Sequence, residues 1–428
     1  MSLQTRLVKS LGIEENRTAL LYYISFLVWP FGVTVDGLRH WRQSWAKNVF
    51  WLFCIFFGYA FIIAENVDDS ADSARYAQTL FEYSSSNLDI RTLFRSFYSA
   101  SSAYVDIAQP LITFMVSRFT SDPRILFAVF AFIFGYFHSR NIWYLLNRIK
   151  GELNLIVLLF LFVFVLLNPI WSINGFRMWT GAQIFIFGAM PYLFEGKLRL
   201  LVWPILSIFF HFSFIIPLLL LFIYVVFKNR ITIYVALFIA TSFIKEIDLQ
   251  ALHSYLSFLP SVFQLRTTGY TNLDYAESVT MAVQALNWYI PFVSKALAWV
   301  IYLIVIYIYF FSRTLLKERE GLMCLFCFAV LFYSIANILS LVPSGGRFIN
   351  VASTFMFGLF VLFLSHSRRT VVLDVVKGIS VPLLLLFSLV MIRAGMDYFG
   401  LSTIIGNPLF TALGAKSSPL IQEIKALL

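Results

Sequence analysis

Four basic residues, one histidine and one acidic cluster carry side chains able to do chemistry. Arg177 follows Ser-Ile-Asn-Gly-Phe (172–176), where one apolar run ends and the next begins. Arg347 follows Val-Pro-Ser-Gly-Gly (342–346) at a corner of the same kind. A cation at a helix start opposes the helix dipole unless an anion joins it. Each arginine therefore reads either as an anion-binding group facing a cavity or as an interfacial side chain reaching to lipid headgroups. The pair at equivalent corners is more specific than either alone. Asn174 and Ser344 are their polar neighbours and candidate substrate contacts. Pro343 stops a helix, and Gly345 with Gly346 permits an unusual backbone and close approach of a ligand.

His211 lies in Phe-Phe-His-Phe-Ser (209–213), inside a long apolar stretch that has basic residues at both ends. Pro204 and Pro217 bend or break that stretch, so it reads as two half-length spans with His211 at the tip. The histidine is either a structural hydrogen-bonding group or a general base working near neutral pH. Lys295 falls about nine residues into an apolar run; an ionisable group at such depth is a functional candidate unless the span begins later. Arg266, in Gln-Leu-Arg-Thr-Thr (264–268), is a loop charge able to reach an anionic substrate. Asp68, Asp69 and Asp72 form an acidic cluster that reads mainly as solvated loop, with Tyr76 one turn beyond Asp72. Cys324 and Cys327 form a CxxC, but it sits in an apolar run without the further ligands zinc needs. No Walker A, GxGxxG or GxSxG pattern occurs. No metal and no cofactor is expected.

The elements that position these residues are set by composition. The 428 residues are 60% hydrophobic and 13% charged, with 48 phenylalanines. A soluble domain carries about 25% charged residues, and no soluble fold of this length hides so much apolar surface. The bilayer must be the solvent, and lipid leaves helices as the economical way to satisfy the backbone of each apolar run. With about 20 residues per span, and shorter ones tolerated in bundles, spans are predicted near 18–35, 48–64, 125–139, 154–172, 177–193, 199–210, 214–227, 231–246, 286–311, 321–342, 349–366 and 377–394. The expectation is an all-α polytopic integral membrane protein of about 12 transmembrane helices, forming one domain over 1–428. The polar first 17 residues and the lack of a cleavage site after the first apolar run argue against a signal peptide. Three cysteines inside apolar runs argue against a disulfide framework.

Six short loops hold Arg39, Arg42 and Lys47; Arg140, Arg148 and Lys150; Lys197 and Arg199; Lys228 and Arg230; Arg313, Lys317 and Arg319; and Arg368, Arg369 and Lys377. In this arrangement all six fall on one side, taken as cytoplasmic. The net charge of +10 is then a topology signal, and a nucleic-acid partner is not expected. Long external segments follow at 65–124 and 247–285, with an external tail at 395–428. Their aromatics, among them Tyr76, Phe81 and Phe94, predict interfacial amphipathic helices. The apolar piece 104–118, with Asp106, Pro110 and Arg118, reads as interfacial or re-entrant. Thr180, Gly181 and Gly188 form a small-residue stripe that allows a close helix crossing. The halves show no repeat, which weighs against a transporter.

Taken together, these features resemble the EpsG/Wzy group of bacterial polysaccharide polymerases over residues 65–410. The resemblance rests on Asp72 and Tyr76 in the first external segment, Arg177 at a helix start, Phe210-His211-Phe212-Ser213 in the split span, and Gly346-Arg347 before a late span. It departs from the group at Asp106 to Pro110, where Glu-Pro-Gly is absent. The resemblance implies a GT-C-like glycosyltransferase in the bacterial cytoplasmic (inner) membrane, active on its outer face in O-antigen, capsule or exopolysaccharide synthesis. Donor and acceptor would be oligosaccharides on undecaprenyl pyrophosphate, with a chain-length regulator as a further partner. Arg177, Arg347, Lys295 and Arg266 would then contact pyrophosphate, Tyr76, Asn174 and Ser344 the substrate, and His211 or Asp72 would be the base. A lipid-linked oligosaccharide flippase and a glycan acyltransferase are the alternatives.

Overall fold

The computed structural model describes residues 13–63, 72–86, 88–97, 106–150, 153–256, 277, 281, 286–414 and 417–427. Among them every regular element is helical. The N-terminal part contains α1 (Ile13–Phe26), α2 (Pro30–Arg39) and α3 (Ala46–Tyr59). Next come α4 (Asp72–Ser85), α5 (Ile90–Ser96) and α6 (Ala108–Ser117). The central bundle follows with α7 (Pro123–Leu146), α8 (Leu155–Leu166), α9 (Phe176–Glu195), α10 (Val202–Phe210), α11 (Ile215–Phe227) and α12 (Ile231–Ser242). After α13 (Leu249–Leu256) come α14 (Tyr289–Phe311), α15 (Arg313–Glu318), α16 (Glu320–Leu339), α17 (Arg347–Leu364) and α18 (Val371–Gly395). Three short helices close the chain: α19 (Leu401–Ile405), α20 (Pro408–Ala412) and α21 (Leu420–Leu427).

Local chemistry explains the boundaries. Asp122 caps α7 by accepting from the Arg124 N–H at 2.9 Å, with Pro123 at the first helical position. Asn154 caps α8 through the Val157 N–H at 2.9 Å, and Thr370 caps α18 through the Leu373 N–H at 3.2 Å. Gly196 ends α9 with φ of +70°, a left-handed conformation that glycine adopts without a Cβ clash.

Among the described residues, six regions are long and apolar enough to cross a membrane: α7, the stretch from α8 through α9, α14, α16, α17 and α18. The shorter helices α3, α6, α10, α11 and α12, with the 3-10 turns attached to α10 and α11, are also apolar. A multi-pass membrane protein follows. The exposed faces of the long helices are apolar, as with Leu385 and Leu389 on α18, which suits contact with lipid.

The helices depart from the span map in three instructive places. The stretch 18–35 is divided at Trp29 and Pro30, because proline starts a new helix more readily than it continues one. The helix from 125 runs past 139 to Leu146, since Arg140 does not stop it. That guanidinium lies over the Trp51 and Tyr136 rings and donates to Asn48 Oδ1 at 2.8 Å. Finally α14 begins at Tyr289, so Lys295 stands only two turns inside the helix and on an exposed face.

Small residues set the crossings. A Cβ on Gly58 of α3 would come within 2.5 Å of the Phe127 carbonyl oxygen on α7. One on Gly188 of α9 would come within 2.5 Å of the Leu200 carbonyl oxygen. The stripe seen in the sequence thus brings the α10 region against α9. A main core of α3, α7, α8, α9, α14, α16, α17 and α18 side chains fills the bundle. A second aromatic cluster, including Phe61, Tyr76, Phe127, Phe130, Ile173 and Phe176, lies where α4 and α6 meet α7.

Candidate functional site

The second cluster is the floor of a polar site. Between α10 and α11 the backbone of His211 is extended, at φ −151° and ψ 115°. Its N–H still donates to the Ser207 carbonyl at 3.0 Å, so the break is local and stays anchored to α10. The expected break in this apolar stretch is therefore present, and it presents the imidazole.

Asp106 faces that tip. Its carboxylate is buried. The His211 Nδ1 lies 2.9 Å from Oδ2, the Phe212 N–H donates to Oδ1 at 2.8 Å, and Arg177 Nη1 donates to Oδ2 at 3.2 Å. The neighbouring Ile107 N–H donates to the Phe209 carbonyl at 3.0 Å, which docks the start of α6 on the end of α10. Arg177, one residue into α9, also donates from Nε to the Tyr76 hydroxyl at 3.4 Å. Tyr76 packs edge-on to Phe130, and Phe130 stacks on Phe176 beside Arg177. Three separate parts of the chain, around 76, 106 and 177–211, thus meet over one aromatic floor.

A polar rim continues from Arg177. The Ser73 N–H donates to Asn174 Oδ1 at 3.3 Å, and Asn174 Nδ2 donates to the Tyr398 hydroxyl at 3.4 Å. Asp72, at the start of α4, pairs with Arg75. A Cβ on Gly175 would come within 3.1 Å of the Trp179 ring and 3.7 Å from Asp72 Oδ2, so that carboxylate lies beside the turn.

The electrostatics are consistent with this geometry. Burial pushes the Asp106 carboxyl up, but the His211 hydrogen bond and the His211 and Arg177 charges outweigh it and hold it below the usual carboxylate range. Asp106 is therefore an anion that orients its partners. Burial pushes the Tyr76 hydroxyl up to about 12 despite the Arg177 charge, so it stays a neutral donor. When His211 Nδ1–H donates to Asp106, the Nε2 lone pair is left free to take a proton. Arg177 keeps 30% of its side chain exposed, leaving donors for an anionic ligand.

Of the residues singled out from the sequence, His211, Arg177, Tyr76, Asn174 and Asp72 come together here. Arg347 stands apart from these contacts, exposed at the first position of α17. The adjacent Phe348 ring packs on Phe214, three residues beyond His211. In its turn the left-handed residue is Ser344, at φ +63°, rather than either glycine. Gly345 is required for another reason: a Cβ there would run into the Leu339 carbonyl oxygen. Lys295 lies on α14 without a contact to the Asp106 cluster, and Arg266 falls outside the described residues.

Asp106 was not singled out as a site residue. The signal was present as an acid in an apolar stretch beside Pro110, where an unpaired carboxylate is costly. Its partners, more than 70 residues away, could not be read from the local sequence. A buried amide network was missed as well. Asn141 Nδ2 donates to Gln183 Oε1 at 2.7 Å, and Gln183 Nε2 lies 2.9 Å from His138 Nδ1. This network joins α7 to α9 below Arg177. Among the described residues no three His, Cys, Asp or Glu side chains gather as metal ligands would.

A multi-pass helical membrane protein with a half-buried histidine and arginine gathered on a buried aspartate at one end of its bundle is the class these features define. The chain belongs to the EpsG family, whose family model matches residues 49–401. That range spans every helix contributing Asp72, Tyr76, Asp106, Arg177 and His211. No curated protein and no solved structure matches the chain.

Proposed function

We propose that the protein is a polysaccharide polymerase that transfers a growing glycan from undecaprenyl pyrophosphate to the non-reducing end of a lipid-linked repeat unit, on the outer face of the bacterial cytoplasmic membrane. Family membership supports the polymerase class. The observation that carries the chemistry is the Asp106–His211 pair with Arg177 on the same carboxylate. The acceptor hydroxyl attacks the anomeric carbon, and its proton passes to His211 Nε2 while Asp106 stabilises the resulting imidazolium. The bond from the anomeric carbon to the pyrophosphate oxygen breaks, and undecaprenyl pyrophosphate departs with the electron pair. Arg177 offers charge to that leaving group, and Arg347 is a further candidate to join it. Direct displacement inverts the anomeric centre. Nothing in this scheme requires a metal, and a GT-C-like arrangement suits a lipid-linked donor held between spans.

The test is polymerisation by purified protein in nanodiscs, given the cognate undecaprenyl-pyrophosphate repeat unit with EDTA and without nucleotide sugar. A ladder spaced by one repeat unit supports the reading. Absence of a ladder from folded protein would overturn it, and transbilayer movement of the repeat unit or acyl-donor dependence would redirect it to a flippase or an acyltransferase.

A further inference from the structure

The opposite end of the bundle carries a second charged cavity. An α-helix rises about 1.5 Å per residue, so the 20 residues of α9 put Glu195 nearly 30 Å from the Arg177 end. There a cavity of about 230 Å³ opens between α3, α7 and α9. Its walls include Lys47, Arg140, Arg148 and Lys197. One carboxylate is close, and it is already taken: Glu195 pairs with both Arg148 and Lys197 and accepts from the Tyr144 hydroxyl at 3.1 Å. Arg140 and Lys47 have no carboxylate partner among the described residues. Arg140 is held in place by Ser139 Oγ and Asn48 Oδ1, each at 2.8 Å, and by two aromatic faces. A half-buried guanidinium fixed by neutral groups retains uncompensated charge, and a cavity lined by one sign of charge concentrates the opposite ion.

The surroundings indicate which anion. From the cavity rim an apolar stripe runs along the outside of α10, with Leu198, Val202, Ile205 and Phe209 all exposed. Their spacing of three and four residues puts them on one helix face. Charge at the rim with an exposed apolar track beside it matches an amphiphile whose anionic head lies in the cavity and whose chains follow the helix.

We propose that the cavity lined by Lys47, Arg140, Arg148 and Lys197 is a phosphate-ester binding site, filled by the headgroup of an anionic membrane lipid at the end of the bundle remote from the Asp106 centre. The site is independent of the polymerase reading, and its test requires no glycan.

The experiment places full-length protein in phosphatidylcholine nanodiscs doped with phosphatidylglycerol and counts retained lipids by native mass spectrometry after mild delipidation. The wild type should retain phosphatidylglycerol over phosphatidylcholine by at least fivefold. Lys47→Gln, which removes a charge with no ion-pair partner, should lower that preference at least threefold, and Lys47→Gln with Arg140→Gln should abolish it. Arg368→Gln, at another loop of the same charged end, should leave it unchanged. Arg140→Lys should retain most of it, which separates charge from misfolding. A parallel arm adds inorganic phosphate to lipid-poor protein. Thermal stabilisation by millimolar phosphate, lost in Lys47→Gln, with no lipid preference, would keep the phosphate site but overturn the lipid as its occupant. Equal retention of both lipids without a phosphate effect, or equal loss in Arg368→Gln, would overturn the proposal.

Discussion

Asp106 holds the site together because it accepts from three groups on two elements. Asp106→Asn keeps the shape but removes the charge, and its amide cannot hold imidazole and guanidinium in the same way. Polymer formation should fall by about 10²- to 10⁴-fold, the usual worth of a positioned general base, while the protein still inserts and purifies. His211→Ala should cost a similar factor, and the double variant little more than either, because the two act as one unit. Initial rates of repeat-unit consumption check this, and near-normal rates in both single variants would remove the pair from the mechanism. The pH dependence follows from the lowered Asp106 carboxyl. Its stabilising contribution is complete above the ordinary value of 3.8 and disappears only as pH falls through the still lower folded value. Thermal melting of wild type relative to Asp106→Asn should therefore keep its offset from pH 7 to pH 5 and lose it only below pH 4. Sequence alone presents His211 and Arg177 because each interrupts an apolar context. It does not reveal Asp106 as their partner, since that contact spans 105 residues to His211 and depends on where α6 docks.

At the scale of the helices, close crossings decide whether the site exists. Gly188→Val would drive a side chain into the Pro204 ring and the Leu200 carbonyl and displace α10, which carries His211 at its end. Overpacking of this kind costs about 1–3 kcal/mol, read as a lower melting temperature in detergent together with loss of polymer. Gln183→Leu tests the amide network separately. It should cost about 1 kcal/mol, a common value for a hydrogen bond between membrane helices, and should leave insertion intact. The glycine stripe and the split at His211 were legible because they depend on local spacing and flanking charge. The run of α7 beyond residue 139 was not, since Arg140 is tolerated by Asn48 and aromatic partners from elsewhere in the chain. The late start of α14 reflects Trp288 and Tyr289, apolar enough to count as span in a composition reading but placed at the helix entrance.

Across the whole molecule, the sequence establishes the solvent and the helical class more firmly than the number of crossings. Hydropathy marks apolar runs, but α3, α10, α11 and α12 have only 9 to 14 residues. Whether such pieces cross, pair or remain in one leaflet depends on packing that composition does not encode. Sidedness is open to a direct measurement. With native cysteines replaced, Ser344→Cys should react with an impermeant maleimide added outside spheroplasts, and Ser367→Cys only after permeabilisation. The reverse pattern would place the Asp106 centre on the cytoplasmic side and end the outer-face assignment.

Tyr398 belongs to the site's wall and is far from it in the chain. Its carbonyl accepts from the Ile62 N–H at 2.9 Å, its ring stacks on Phe61, and its hydroxyl meets Asn174, 224 residues earlier. During synthesis, then, the helices bearing Arg177 and His211 enter the membrane long before the wall beside them is available. A nascent chain that stalls after His211 would hold the reactive groups without their enclosure. Completion of the pocket is delayed until translation has passed residue 398, so the enclosure of the Asp106 centre is among the last parts of the molecule to be made.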